Sequence, residues 1–388
     1  MNSPTVVHVS PLPPRRCGVA EYTGALSAAM AAANRGGAPF FVRLVCDGEA
    51  DTTGSENCIC VDPSNISAVQ DTAAAVNRLA PASILLQHEF KLYGGNDGDN
   101  VLTFLEHLNA PIVSTLHTVS SSLSGKRQRI LRAIIARSTR SVVFSERARG
   151  ILMESYAADA ENVSVIPHGV PDVAFTLPGA VALPDVPRRG VSFITCGLLR
   201  PGKGIEHVLP AFATLKRKTS AEFTYLVCGG DHPRNPNATN YRSQLAEAVA
   251  RFGLEENVFF LDRFFDWPAM IRTIQACDVG ICAYTAAEQS SSGVLALTLA
   301  CGRPVITTDF QYAREVVNQR NGIVVPIGDE GLLSSAIKSV LLNSERRMQM
   351  ASESYHLTRS WVWREVAKQH IELLDEVSRC HANRSCSS

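Results

Sequence analysis

The stretch that decides the fold reads Val191-Ser192-Phe193-Ile194-Thr195-Cys196-Gly197-Leu198-Leu199-Arg200-Pro201-Gly202-Lys203-Gly204, with Ile205, Val208, Leu209 and Phe212 following. Its first six residues form a short apolar run of strand character, and the spacing from Ile205 onward places apolar side chains on one helical face. Glycines crowd the turn between them. Strand, glycine-rich turn and helix in this order make an anion-binding geometry, because glycine lets the backbone approach closely and the helix start offers unpaired N–H groups. Lys203 adds a point charge, so a phosphate or diphosphate is the natural guest. The run falls one residue short of the Walker A pattern, with Gly204 where a magnesium-binding hydroxyl belongs, which weighs against an NTPase. The bland alternative is a tight turn with a solvated lysine.

Similar apolar runs recur on both sides. Before this stretch stand Val6 to Ser10, Phe41 to Cys46, Ile84 to Gln87, Ile112 to Leu116, Ser141 to Ser145 and Val163 to Pro167. From it onward come Phe223 to Cys228, Val258 to Leu261, Val279 to Ala283, Pro304 to Thr307 and Ile323 to Pro326. These read as buried parallel strands, and intervening helical patterns such as Val19, Tyr22, Leu26 and Met30 make the alternation βαβ. The expectation is an α/β chain of two doubly wound, Rossmann-like parallel-sheet domains facing a cleft. A first domain over 1–183, a second over 184–358 and a C-terminal helix crossing back to the first within 359–388 complete it, with the linker in Pro171 to Arg189.

A length of 388 residues suits two domains of ~100 to 200 residues each, and 45% hydrophobic against 19% charged residues describes a soluble globular protein. Lys plus Arg equals Asp plus Glu at 37 each, so no charge excess holds the chain on nucleic acid or anionic lipid. Pro, Arg and His interrupt the first residues, and no apolar run of ~18 occurs, so neither a signal peptide nor a membrane span is expected. Cys196, Cys228, Cys277, Cys282 and Cys301 sit inside apolar runs as small core hydrophobes, which suits a reduced cytoplasmic setting. Cys58 with Cys60, and Cys380 with His381, lack the paired spacing of a zinc site, so no metal is expected.

A second polar site lies between the strand Val279 to Ala283 and the apolar helix from Val294: Glu288-Gln289-Ser290-Ser291-Ser292-Gly293. Ser and Gly cap that helix and leave N–H groups for an anion, while Glu288 follows a strand's carboxyl end, where α/β sheets bind ligands. A capped surface helix is the plain alternative. In the first half His88, His117 and His168 each follow a strand, and the loop Pro13 to Glu21, carrying Arg15, Arg16 and Gly18, reaches the same rim. A single histidine of this kind is more often structural; three at equivalent positions line one edge.

Over nearly its whole length the chain resembles the retaining glycosyltransferases of family 4, which have the GT-B fold. The resemblance rests on PPRRCGVAEYT, LLQHEFKLYGG, STLHTV, VVFSERAR, VIPHGVPD, FITCGLLRPGKGIE, YLVCGGDHP, AAEQSSSGVLALTLACGRPVITT and GIVVPIGD taken together. It implies a nucleotide-diphosphate-sugar donor in the second domain and a carbohydrate or other hydroxyl acceptor in the first. Lys203 then matches the lysine on the donor diphosphate, Ser291, Ser292, Gly293 and Val294 the helix start that supports it, and Gly18 the loop facing it. Arg263 falls near where the base is held, and His117 faces the transferred sugar. Two departures stand out: Leu198 replaces the family's arginine, with Arg200 nearby, and Gln289 and Leu297 occupy the two acidic places of the E-x7-E pattern, with Glu288 one residue earlier.

The resemblance thus implies a metal-independent hexosyltransferase with no resident cofactor. His117, Lys203 and Glu288 are the expected catalytic residues; Gly18, Arg200, Arg263, Gln289 and Ser291 to Val294 hold the donor; Arg16, Glu21, His88 and His168 stand on the acceptor or sugar side. The alternatives are a non-catalytic sugar-nucleotide-binding protein and a pseudo-glycosyltransferase that forms a non-glycosidic linkage.

Overall fold

The computed structural model describes residues 6–33, 39–45, 57–177, 180–183, 186–231 and 238–385. Cys46, His232 and Pro233, and positions 178, 179, 184 and 185 of the expected linker, lie outside the described residues. Contacts divide the chain into Met1–Gly169 with Trp363–Ser388, and Val170–Val362.

The first unit holds a seven-stranded parallel sheet. Its strands are β1 (Val6–Ser10), β2 (Phe40–Leu44), β3 (Cys58–Val61), β4 (Ser83–His88), β5 (Ile112–Leu116), β6 (Arg140–Val143) and β7 (Val163–Val165). They lie in the order β3-β2-β1-β4-β5-β6-β7, with Val9 paired to Val42 on one side and Leu86 on the other. Val7, Val9, Val42, Ile84 and Leu86 are buried in the core of this unit, which is why these strands are predominantly apolar. The sequence reading omitted β3: Cys58, Ile59 and Cys60 are only half-buried on an edge strand, so no continuous apolar run marks it.

The second unit repeats the scheme with β8 (Val191–Cys196), β9 (Phe223–Cys228), β10 (Val258–Leu261), β11 (Val279–Cys282), β12 (Val305–Thr308) and β13 (Gly322–Val325). Their order is β10-β9-β8-β11-β12-β13, all parallel. Strand order reverses between β8 and β11, and in open α/β sheets ligands bind at the carboxyl ends of the strands flanking such a switch point. Both polar loops singled out in the sequence leave the sheet there.

The residues just after Gly169 pack within the second unit. Tyr355 donates to Val173 O at 2.9 Å, Gln275 to Ala174 O at 3.0 Å, and the fully buried Arg303 to Thr176 O at 2.8 Å. At the other end, Trp361 closes a 3₁₀ turn in the second unit, where its carbonyl accepts from Val170 N at 2.9 Å. Trp363 opens the last helix, Trp363–Ser385, which packs on the helix Gly18–Ala33 in the first unit. Gly169 is glycine for a steric reason: a Cβ there would stand 2.1 Å from the Trp363 ring.

Candidate functional site

In the second unit the glycine-rich turn leaves β8 at Gly197 (φ 104°) and passes Gly202 (φ 94°) to Gly204 (φ 70°), which caps the helix Ile205–Lys218. These left-handed conformations favour glycine. Gly204 has a further reason: a Cβ there would lie 1.7 Å from Ala283 O, so the helix start is pressed against the chain leaving β11. Gly202 O accepts from Thr285 N at 3.2 Å, tying the two loops together.

Lys203 is buried, which corrects its reading as a solvated side chain. Nζ donates to Cys196 O at 3.3 Å and to Tyr284 Oη at 3.2 Å, and lies 4.7 Å from the centroid of the Tyr284 ring. Burial pushes its pKa down to about 8, and the nearby Arg200 guanidinium acts in the same direction. Gly197 is closely packed against this ammonium and the first turn of the helix Gly293–Ala300: a Cβ on it would be 3.0 Å from Lys203 Nζ and 3.4 Å from Val294 Cγ2.

Ser292 caps that helix, accepting from Leu295 N at 3.2 Å, and its Oγ lies 3.4 Å from Tyr284 Oη. Gln289 Nε2 donates to Ser291 O at 3.0 Å, and Gln289 O accepts from Tyr312 N at 3.1 Å, so this side chain and backbone shape the loop. Glu288 is exposed on the same loop, and Arg200 is exposed beside Gly202. Arg263 stands after β10 with its guanidinium 5.0 Å from the Phe265 ring, and its backbone passes 3.5 Å from where a Cβ on Gly230 would be. Leu297, in the place of the second acid, is buried in an apolar cluster with Ile194, Cys196 and Leu226.

The structure thus brings Gly197, Lys203 and Val294 together, with Ser292 joined to Lys203 through Tyr284. Sequence reasoning passed over Tyr284, which joins Lys203 to Ser292; its only signal was an aromatic directly after a strand end, indistinguishable there from a core residue. Arg242 was passed over too: it pairs with Asp231 at 2.9 Å and Asp262 at 2.8 Å, joining the loops after β9 and β10.

In the first unit His117 and His168 meet in one cluster of rings. Tyr22, from the helix Gly18–Ala33, lies edge-on to both, with centroids 5.1 and 5.2 Å away, and Phe144 lies 5.2 Å from each. Trp363 closes the cluster 5.2 Å from Tyr22. His117 Nε2 is 2.9 Å from Gln87 Oε1, and His168 Nδ1 is 3.0 Å from Gly169 O. Burial lowers their pKa values to about 3 and about 4, so both rings are neutral at pH 7.

His88 is fully buried against Phe90 and Tyr93, and its carbonyl accepts from His117 N at 3.0 Å. It supports the rim through its backbone. Beside it, the Glu89 carboxylate accepts from Thr118 Oγ1 at 2.7 Å and from Phe90 N at 2.8 Å, and burial raises its pKa. Gly18 begins its helix with open space where a Cβ would point; Arg16 is exposed and Glu21 half-buried in the same loop and first turn.

Two Rossmann-like parallel-sheet units in one chain define a protein of the GT-B class. The chain belongs to glycosyltransferase family 4: the family described as Glycosyltransferase Family 4 matches residues 18–173, and that described as Glycosyl transferases group 1 matches residues 190–343. A D-inositol 3-phosphate glycosyltransferase of Salinispora tropica is 24% identical over 307 residues, 72% of this chain and 62% of that protein. This chain therefore spans less than two thirds of that relative's length. Among solved structures, sucrose-phosphate synthase from Thermosynechococcus elongatus superposes with a TM-score of 0.79 at 17% identity, over 97% of this chain and all of that one. HepE of Anabaena, in complex with UDP-glucose, superposes with a TM-score of 0.72 at 18% identity, over 96% of this chain and 99% of that one. Both share the fold.

Proposed function

We propose that this chain is a retaining glycosyltransferase that moves a hexose-type sugar from a nucleotide-diphosphate sugar to an acceptor hydroxyl, without a metal ion or resident cofactor. The observation that carries the reading is the juxtaposition of Gly197, Lys203 and Val294, where a buried cation lies beside a helix start at the switch point of the sheet. The second unit takes the donor and the first the acceptor. As the glycosidic C–O bond to the diphosphate breaks, negative charge grows on the leaving oxygen; Lys203 and the N–H groups of Gly293 and Val294 offset it. The acceptor oxygen bonds to the anomeric carbon on the face the diphosphate leaves, and its proton passes to a diphosphate oxygen. Glu288 holds sugar hydroxyls, and neutral His117 orients the sugar. Among the described residues no helix is long and apolar enough to cross a membrane.

The relative from Salinispora supports inositol phosphates as the first acceptors to test, and HepE supports UDP-glucose as the first donor. The experiment is a panel of nucleotide sugars screened by thermal shift, followed by transfer assays with the donors that stabilise the protein. Stabilisation and transfer support the reading; no stabilisation by any nucleotide sugar overturns it. Leu297, buried where an acid would grip ribose, favours a second reading, a sugar-nucleotide-binding protein without turnover. Donor binding with neither transfer nor donor hydrolysis selects it.

A further inference from the structure

We propose that Tyr284 is the positioning residue of the donor-binding lysine, clamping the Lys203 ammonium and coupling it to the second helix start. The inference rests on the donor reading above and adds a residue to it. Tyr284 follows β11 by two positions, at the switch point of the sheet. Its ring stacks on Phe310 with centroids 5.1 Å apart, and its carbonyl accepts from Thr308 Oγ1 at 2.6 Å, so the side chain has a fixed base. On that base the ring face lies 4.7 Å from Lys203 Nζ, and the hydroxyl accepts from the same nitrogen at 3.2 Å. The hydroxyl also lies 3.4 Å from the Oγ of Ser292, the cap of the helix Gly293–Ala300.

One side chain therefore touches both elements that meet beside Gly197. Lysine is flexible, and the rotamer freedom of a long side chain is costly to remove at the moment a ligand binds. A ring face and a phenol oxygen fix the ammonium beforehand, which is preorganisation of the kind that raises affinity and aligns charge with a leaving group. The groups facing Lys203 are Cys196 at the end of β8, Cys282 at the end of β11, Arg200 on its own loop and Tyr284. Arg200 disfavours the ammonium, while the Tyr284 ring and hydroxyl favour it.

The test uses the full chain and measures UDP, GDP and ADP binding by calorimetry between pH 7 and 9.5, for the wild type, Lys203→Ala, Tyr284→Phe and Tyr284→Leu. Phe keeps the ring and its stacking on Phe310, so the fold survives; matched circular dichroism and Tm check this. We expect wild-type affinity for the nucleotide that binds to fall as pH rises through about 8, where the free lysine loses its proton. Tyr284→Phe should weaken binding about fivefold at pH 7 and move that fall to lower pH, because one acceptor for the ammonium is gone. Tyr284→Leu should weaken it further, and neither should change the KM for acceptor. If none of the nucleotides binds the wild type, the donor reading falls and this inference with it. If Lys203→Ala weakens binding while Tyr284→Phe keeps both wild-type affinity and pH midpoint, Tyr284 is structural and only this inference is overturned.

Discussion

His117 Nε2 lies 2.9 Å from Gln87 Oε1, and that one contact sets which form of the imidazole faces its neighbours. An amide oxygen only accepts, so in a neutral ring Nε2 carries the proton and Nδ1 is the basic nitrogen. Burial, with His168 and His88 nearby, holds the ring's pKa at about 3, so the neutral form persists across the working range. Gln87 is itself fixed, its Nε2 lying 3.5 Å from Thr115 Oγ1 and its carbonyl accepting from Tyr93 Oη at 2.7 Å. Nitrogen-15 NMR of the His117 ring should report the Nε2-protonated neutral tautomer from pH 5 to 9. In Gln87→Glu the new carboxylate favours the imidazolium and should raise that pKa by one unit or more. A wild-type ring protonated on Nδ1 would remove Gln87 from this role.

A second expectation concerns acid stability. His8, His88, His117, His168 and His370 all belong to the first unit, and burial is the leading cause lowering each pKa, to about 4, 3, 3, 4 and 4. Unfolded histidine titrates near ~6.5, so below that pH the unfolded chain binds more protons than the folded one. The stability these rings contribute is full above pH ~6.5 and drains as pH falls toward their folded values, by up to ~1.4 kcal/mol per pH unit for each ring. Hydrogen exchange at pH 5 should therefore show β1, β4 and β5 losing protection before β8 and β9. The reverse order would mean that these rings are hydrated in solution.

The strands were legible because parallel strands covered on both faces are mostly apolar, broken in Val191–Cys196 and Ile112–Leu116 only by small Ser and Thr residues. Edge strand Cys58–Val61 escaped because it is half-solvated. Loop residues Gly197, Lys203, Ser292 and Val294 were visible as a pattern of glycine, lysine and helix caps. What sequence did not show is distance. Tyr284 becomes part of the site only through its 3.2 Å contact with a lysine 81 residues away. The burial of Lys203 was equally hidden, since a lysine in a glycine-rich turn is indistinguishable in sequence from a solvated one. The C-terminal helix expected within 359–388 starts only at Trp363, because a 3₁₀ turn ending at Trp361 precedes it, and the two tryptophans belong to different units.

Lys203→Ala should cost nucleotide diphosphate binding about 1.5 to 3 kcal/mol, the range for a hydrogen bond to a charged group, or on the order of 10- to 100-fold in affinity. Folding should survive, because the buried ammonium carries a desolvation penalty that alanine removes, offsetting the lost contacts. Lys203→Met is the volume-keeping control and should be at least as stable as alanine by chemical denaturation. Wild-type transfer rates in both variants would rule out Lys203 as the donor's partner.

The two glycines of the same turn should separate binding from folding. A Cβ at Gly204 would meet Ala283 O at 1.7 Å, so Gly204→Ala must push the helix start away from the β11 loop and should lower Tm and affinity together. At Gly197 the new methyl lies 3.0 Å from Lys203 Nζ and 3.4 Å from Val294 Cγ2, side-chain atoms and not backbone, although φ of 104° adds strain. Gly197→Ala should therefore lose affinity for nucleotide diphosphate out of proportion to its loss in Tm. Full affinity in that variant would place the diphosphate elsewhere.

Glu288 and Gln289 test whether sugar and phosphate are held by separate parts of one loop. Glu288 is exposed, four residues before the Ser292 cap, whereas Gln289 is committed to the loop itself through Ser291 O and Tyr312 N. A bare nucleotide diphosphate carries no transferred sugar, so Glu288→Gln should leave its affinity within about twofold while turnover falls tenfold or more, because a misplaced sugar loses proximity to the attacking hydroxyl. Gln289→Ala removes a bond that shapes the approach to the helix start, so it should weaken nucleotide diphosphate binding and turnover in parallel. Initial transfer rates and calorimetric affinities for the three proteins decide the matter. Loss of both quantities in Glu288→Gln would assign that carboxylate to the nucleotide, and loss of turnover alone in Gln289→Ala would move the sugar contact one residue along the chain.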